Sequence, residues 1–276
     1  MYERVVVTLD GSRLSEAVVP YAAAICAATG AQLRLLRVSF KEDAEEAESY
    51  LSRLSVLLDA EAVQVPAEGF PAREIGKEMA KYANGLLCMA THGRGGLIET
   101  ILGSIASQVV HEAPIPVMLF RPETEEFEVT DHRPIKQVVA TLDGSDYSER
   151  VLPSAAGLAQ AIGAELTIVQ VVSPDARAEG APSGDVLESS YVRSRAGRMR
   201  DEYGLAPDWE VLHGDAADAI VDYVRGLDGA VLAMASHART PLKKTVLGSV
   251  TSACLRHSGV PVLVVGPEFR VDAYAR

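Results

Sequence analysis

The run from Ala90 to Ser104, ATHGRGGLIETILGS, gathers four glycines, a histidine, an arginine and a closing Gly-Ser pair. Gly93, Gly95 and Gly96 can take φ > 0 and let an anion come close to the backbone. Arg94 adds a mobile cation. A helix entered at Ser104 would offer unpaired N–H groups and a partial positive charge, with Ser104 able to cap it and present a hydroxyl. Such a set suits a polyphosphate. A P-loop is excluded, because Leu102 and Gly103 rather than lysine precede the serine. The G-x-G-x-x-G dinucleotide fingerprint is absent as well. The bland alternative is a plain glycine-rich turn. A related run, ASHARTPLKKTVLGS, spans Ala235 to Ser249 with fewer glycines.

Asp10 and Asp143 each follow a short valine-rich run, in RVVVTLDGS and QVVATLDGS. A carboxylate there can hydrogen-bond a ribose or an adenine amino group, or help hold a divalent ion. It can equally be a helix cap or an Asx-turn. His92 and His237 lack the neighbours of a metal site or of a nucleophile-base pair. Ser12 and Ser145 sit in turns with no G-x-S-x-G elbow around them. No catalytic residue and no metal ligand is assigned.

The elements that must position these residues are written twice. Asp10 matches Asp143 and Val38 matches Val171 at an offset of 133, whereas Gly103 matches Gly248 and His92 matches His237 at 145. A net insertion of 12 residues therefore lies in the second copy, and SPDARAEGAPSGD, after Val171, reads as the loop that holds it. The acidic stretch 122–134 reads as a linker between units at 1–121 and 135–268. Each copy alternates apolar strands with helices. The first predicts strands at RVVVTL, LRLLRV, AVQVP, GLLCMA and IPVMLF. It also predicts one Ala-rich helix from Leu14 to its Gly30 stop, an acidic helix near 42–58, and helices opening at Pro71 and Ser104. Right-handed crossovers then favour parallel sheets with helices on both faces. Ligands in such sheets lie beyond the carboxyl ends of the strands, where Asp10, Val38 and Ala90, or Asp143, Val171 and Ala235, would converge. The last strands, IPVMLF and VPVLVV, would be apolar edges unless paired with each other, antiparallel across an internal pseudo-two-fold.

The chain has 276 residues, 48% of them hydrophobic, and a formal net charge of -12. That surface repels nucleic acid and anionic lipid, so neither is an expected partner. No apolar run reaches the roughly 20 residues that span a bilayer. Cys26, Cys88 and Cys254 read as buried, reduced thiols, which fits a cytoplasmic location.

These residues resemble the universal stress protein family in its tandem two-domain form. The resemblance covers nearly the whole chain and rests on TLDGS, on the THGRGG and SHARTP loops, and on LGS before a helix. The family's ATP-binding pattern is G-x2-G-x9-G-[ST]. The first copy reads Ala90, Gly93, Gly103, Ser104 at its positions, and the second reads Ala235, Ala238, Gly248, Ser249. The resemblance implies a Rossmann-like, HUP-type α/β fold: two doubly wound five-stranded domains of strand order 3-2-1-4-5, paired as an intramolecular pseudo-dimer. It implies ATP or a related adenine nucleotide, alone or with Mg or Mn. Asp10 would meet adenine or ribose, Val38 would give backbone contacts to adenine, and Ala90 and Gly93 would line the ribose and phosphate path. Arg94, Gly103, Ser104 and the Ile105 amide would meet phosphates.

The weaker second site would use Asp143, Val171, Ala235, Arg239, Gly248, Ser249 and Val250. Ala238 stands where the pattern has glycine, and at φ > 0 it would cost about 1 kcal/mol. An N-terminal ATP site with a degenerate C-terminal one is therefore expected. Binding rather than turnover is the expected activity, since no water-activating base accompanies the phosphate donors. The alternative is a structural or interaction module that no longer uses nucleotide, and a ligase on the same fold is a third. Association of two chains is left open.

Overall fold

The computed structural model describes residues 2–82, 84–91, 102–122, 124, 126–172, 185–236 and 247–270. The first copy runs β1 (Arg4–Thr8), α1 (Arg13–Glu16), α2 (Val19–Thr29), β2 (Gln32–Ser39), α3 (Ala44–Leu58), β3 (Glu61–Pro66), α4 (Pro71–Met79), β4 (Gly85–Ala90), α5 (Ser104–Glu112) and β5 (Val117–Phe120). A 3-10 turn at Lys41–Asp43 leads into α3. The second copy runs β6 (Gln137–Leu142), α6 (Asp146–Glu149), α7 (Leu152–Ile162), β7 (Glu165–Val172), α8 (Asp185–Tyr203), β8 (Asp208–His213), α9 (Ala216–Arg225), β9 (Ala230–Ala235), α10 (Ser249–His257) and β10 (Val262–Val265).

The strands form one ten-stranded sheet in the order β3-β2-β1-β4-β5-β10-β9-β6-β7-β8. Each half keeps the expected 3-2-1-4-5 arrangement. Every neighbour is parallel except the central pair, where β5 and β10 run antiparallel with Met118 opposite Leu263. Neither last strand is thus an open edge. Val117, Met118, Leu119, Val262, Leu263 and Val264 are all buried at this seam. Each such side chain contributes about 1.5–3 kcal/mol of burial, which strongly favours the joined sheet over two exposed edges. Alternate residues of the strands feed two apolar layers. Val5, Val7, Leu35 and Cys88 face one side with α2 and α3, while Val6, Leu36, Leu87 and Met89 face the other with α4 and α5. Both layers continue into the second copy, and α2 packs on α7 across the seam.

The single helix expected from Leu14 to Gly30 is divided in two. Pro20 has no N–H and cannot continue the ladder from the first turn, so it sits instead at the start of α2. Pro153 divides α6 from α7 in the same way. The expected stop at Gly30 is observed: it is left-handed at φ 71 and its N–H meets the Cys26 carbonyl. The insertion lies partly in α8, which has 19 residues against 15 in α3, and its loop at 173–184 falls outside the described residues. Cys88 and Cys254 are buried as expected, but Cys26 is only partly covered, because it lies at the last turn of α2 rather than over the sheet.

Candidate functional site

At the carboxyl end of β1 the chain must turn at once into α1, and Asp10 makes that turn. Its Oδ1 accepts from the Ser12 N–H at 2.9 Å and from the Ser12 hydroxyl at 2.6 Å. Gly11 takes φ 87 between them. Ser12 then caps α1, accepting from the Ser15 N–H at 3.2 Å. The second copy repeats these contacts: Asp143 Oδ1 accepts from the Ser145 N–H at 2.9 Å and its hydroxyl at 2.6 Å, and Ser145 caps α6. One oxygen of each aspartate therefore builds an Asx-turn, and the capping residue is the serine two positions on.

Behind this turn lies a matched acid-phenol pair. The Tyr50 hydroxyl donates to Glu16 at 2.9 Å, and the Tyr191 hydroxyl donates to Glu149 at 2.9 Å. Burial first, and the Glu16 carboxylate after it, push Tyr50 above the usual tyrosine value. Burial and Glu149 push Tyr191 up to about 12. Both remain neutral donors near pH 7.

The fourth strand of each copy ends beside the first. The Thr91 N–H donates to the Phe120 carbonyl at 2.9 Å, and the Gly103 N–H donates back to the Thr91 carbonyl at 2.9 Å. This bond closes the base of the loop that holds Gly93 and Arg94, which lie outside the described residues. In the second copy Gly248 N–H meets the Ser236 carbonyl at 2.6 Å, closing the loop that holds Ala238 and Arg239, also outside the described residues. A Cβ on Gly103 would stand 3.1 Å from the Thr91 carbonyl, so the close approach favours glycine. Here one expectation is corrected. Gly103, not Ser104, is the N-cap of α5; Ser104 is its first helical residue and makes no capping bond. With no side-chain cap, the first N–H groups of α5 stay available to an anion.

The turn and the helix tip converge on a cleft of about 540 Å³, lined by Asp10, Val38, Ala90, Gly103, Ser104 and Ile105. All six described members of the expected first site are thus together. β1 stops opposite Leu36, so Val38, two residues further along β2, reaches the cleft. The equivalent cleft of the second copy holds Asp143, Val171, Ala235, Gly248, Ser249 and Val250 in about 130 Å³. One exchange puts a polar side chain in that lining, and another puts one at the adjoining strand end. Thr251 stands where the first copy has Ala106, and its hydroxyl donates to the Ala235 carbonyl at 3.2 Å. Tyr147 stands where the first copy has Leu14, and its hydroxyl lies 3.3 Å from that of Ser236 at the end of β9.

Among the lining residues of the larger cleft that sequence reasoning missed are Arg37, Phe40 and Asp43. The available signal was Arg37 itself, a charged residue late in a mostly apolar strand, matched by Gln170 in the other copy. Among the described residues no group of three or more His, Cys, Asp or Glu is placed to hold a metal. Among the described residues, the carboxylates that line the larger cleft are Asp10 and Asp43. Among the same residues no helix is long and apolar enough to cross a membrane.

The Universal stress protein family model matches residues 1–121 and 134–266. A universal stress protein of Methanocaldococcus jannaschii is 28% identical over 138 residues, covering 47% of this chain and 81% of that protein. One from Mycobacterium tuberculosis is 28% identical over 183 residues, covering 65% of this chain and 61% of that protein. Among solved structures, a universal stress protein from Archaeoglobus fulgidus superimposes with a TM-score of 0.73 at 21% identity, covering 96% of this chain and 99% of that one. At that identity the likeness speaks for the fold alone.

Proposed function

The chain belongs to the universal stress protein family, and on that premise we propose that it is a cytosolic stress-response protein that binds ATP, chiefly in its first copy, without being an enzyme. The two units are residues 1–121 and 135–268, joined by 122–134. One observation carries the reading: the first copy has a cleft of about 540 Å³ with an uncapped helix tip on one side, against about 130 Å³ in the second. The larger value falls within the roughly 300–1,000 Å³ range of small-molecule sites, and the smaller does not.

In this reading the amides at the start of α5 and the Ser104 hydroxyl take the phosphates, helped by Arg94 and the close backbone of Gly93. Asp10 retains its turn contacts and offers its carboxylate to the ribose or base. Val38 supplies backbone to adenine, and the apolar floor of Ile75 and Met89 covers the ring. ATP then acts as a ligand that favours one arrangement of the protein, by as much as its affinity for the two arrangements differs. Mg or Mn would accompany the triphosphate. The second site, with Arg239 and Val250, binds weakly or not at all. Calorimetry of the whole chain with ATP tests this, with one site per chain expected. Two equal sites would defeat the asymmetry, and no heat with no thermal protection would defeat nucleotide binding.

A further inference from the structure

The linker between β5 and β6 is fastened to the first copy. Val129 is buried, and Phe127 packs half-buried on the same apolar layer. The Arg133 N–H donates to the Pro20 carbonyl at 3.4 Å, and the Arg133 guanidinium lies 5.6 Å from the centre of the Tyr21 ring. Nearer β5, Arg13 Nη2 donates to the Phe127 carbonyl, and the Arg13 guanidinium sits 4.3 Å from the centre of the Phe127 ring. Arg13 is aimed by Glu16, which stands 3.1 Å away and is only 6% exposed. Glu16 also accepts from the Tyr50 hydroxyl at 2.9 Å. A carboxylate so buried needs partners of this kind, so Arg13 is held to the body of the protein and not left to solvent.

The same turn borders the N-terminal cleft. α1 has only four residues, and one of them, Ser15, lines the cleft. The Ser15 hydroxyl accepts from the Asp10 N–H at 3.4 Å and donates to the Ser12 carbonyl at 2.7 Å. Arg37, another lining residue, has its guanidinium 5.4 Å from the centre of the Tyr50 ring. Two routes thus lead from the cleft wall to Glu16, one through α1 itself and one through Tyr50. A one-turn helix has little hydrogen-bond ladder of its own, so its place depends on these contacts. We propose that α1 couples the N-terminal cleft to the linker. A nucleotide held at Asp10 and Ser15 fixes α1, α1 fixes Arg13 and Glu16, and the linker is clamped down. The second copy offers a comparison. Its segment after β10 is held by Arg150, whose Nη2 donates to the Pro267 carbonyl at 3.1 Å and the Phe269 carbonyl at 2.7 Å. Arg150 ends α6, whose Ser148 lines the smaller cleft. Each cleft therefore has its own fastened segment, and the linker answers to the larger one.

The inference rests on the nucleotide reading of the cleft, and the test separates the two. Hydrogen exchange of the full chain is followed by mass spectrometry with and without saturating ATP, beside calorimetry. Residues 126–135 are expected to exchange about fivefold more slowly with ATP, the low end of ordinary coupling between sites, while 266–270 stay unchanged. Phe127→Ala removes the ring that Arg13 grips but leaves the Arg13–Glu16 pair in place. It should speed exchange of 126–135, abolish the response to ATP, and weaken ATP binding by the factor of protection lost, because coupling is reciprocal. Arg13→Ala should do the same from the other end of the clamp. ATP binding with linker exchange unchanged or faster overturns the coupling and leaves the nucleotide site intact. A Phe127→Ala protein whose linker opens but whose ATP affinity matches the parent breaks the reciprocity and overturns it as well. A response to ATP retained in both variants removes this clamp from the role. Equal protection of 266–270 with one ATP per chain would be general stiffening and not coupling through α1. No binding of ATP removes the nucleotide site itself, and this inference with it.

Discussion

The two clefts share a frame and differ in what borders it. Both have an aspartate folded onto a capping serine, a tyrosine bonded to a glutamate behind the turn, and a glycine clasped to the end of the fourth strand. The first is open to about 540 Å³ and carries Arg37, Phe40 and Asp43 on its wall. The second measures about 130 Å³ and has Thr251 in its lining and Tyr147 bonded to the adjoining strand end. What the frame keeps in common is what folding needs at a strand-to-helix turn. Among the described residues, the differences at the clefts lie in side chains that the turns do not require, so the duplicated frame can persist while one cleft changes its capacity.

The strongest way to test how far the halves differ lies at the seam. Gly266 follows β10, and a Cβ there would stand 1.9 Å from the Val110 carbonyl in α5 of the other copy. Its counterpart in the first copy is Arg121, which carries a full side chain. Gly266→Ala is expected to cost about 3 kcal/mol in urea denaturation, and Arg121→Ala about 1 kcal/mol or less. A Gly266→Ala protein as stable as the parent would mean that the backbones do not approach so closely.

The next effect separates the two aspartates. Asp10→Ala should weaken ATP binding about tenfold or more, while Asp143→Ala leaves affinity and stoichiometry unchanged. An equal loss from both would place the working site across both copies. Widening the second cleft is a gain-of-function version of the same question. The pair Tyr147→Leu and Thr251→Ala restores the residues of the first copy, and a second ATP site about a hundredfold weaker than the first is expected by calorimetry. Unchanged stoichiometry would show that loop composition, including Ala238, closes that site rather than these side chains.

Smaller effects should be the same on both sides. Ser12→Ala and Ser145→Ala each remove one helix cap and are expected to cost about 1 kcal/mol. A large inequality between them would deny that the turns are equivalent. The smallest effect is at high pH. Burial and Glu149 raise Tyr191 to about 12, and burial and Glu16 raise Tyr50 as well. The unfolded chain ionises its tyrosines first, near pH 10, so the folded state keeps its full stability below that value. It should lose stability as pH climbs from about 10 towards 12. Tyr191→Phe and Tyr50→Phe should each make that decline shallower in denaturation curves, and an unaltered slope would sever the link to these phenols.

Much of the molecule was legible in the chain. The offset between TLDGS and its repeat revealed the duplication, and the alternation of apolar runs with helical segments led to the parallel sheet. The convergence of Asp10, Val38 and Ala90 was expected from strand ends alone, and all three line the cleft. The break before Pro20 was misread, because a helical pattern of alanines continues through a residue that lacks one hydrogen. The cap of α5 was misplaced by one residue, since serine is the better cap on intrinsic preference, but the close approach to the Thr91 carbonyl favours glycine there. Arg37 was passed over because a strand pattern is read by its apolar majority.

By itself, then, the sequence determined the repeated βα order, the antiparallel seam between two apolar last strands, and the positions of turns that only glycine, serine and aspartate make easily. These depend on neighbours a few residues away or on a period that survives in the chain. Only the tertiary structure decided the two cleft volumes, and that Arg37 and Asp43 would lie together beside Phe40. Cavity size arises where segments distant in the chain pack against one another, and no local pattern records how completely they fill the space between them.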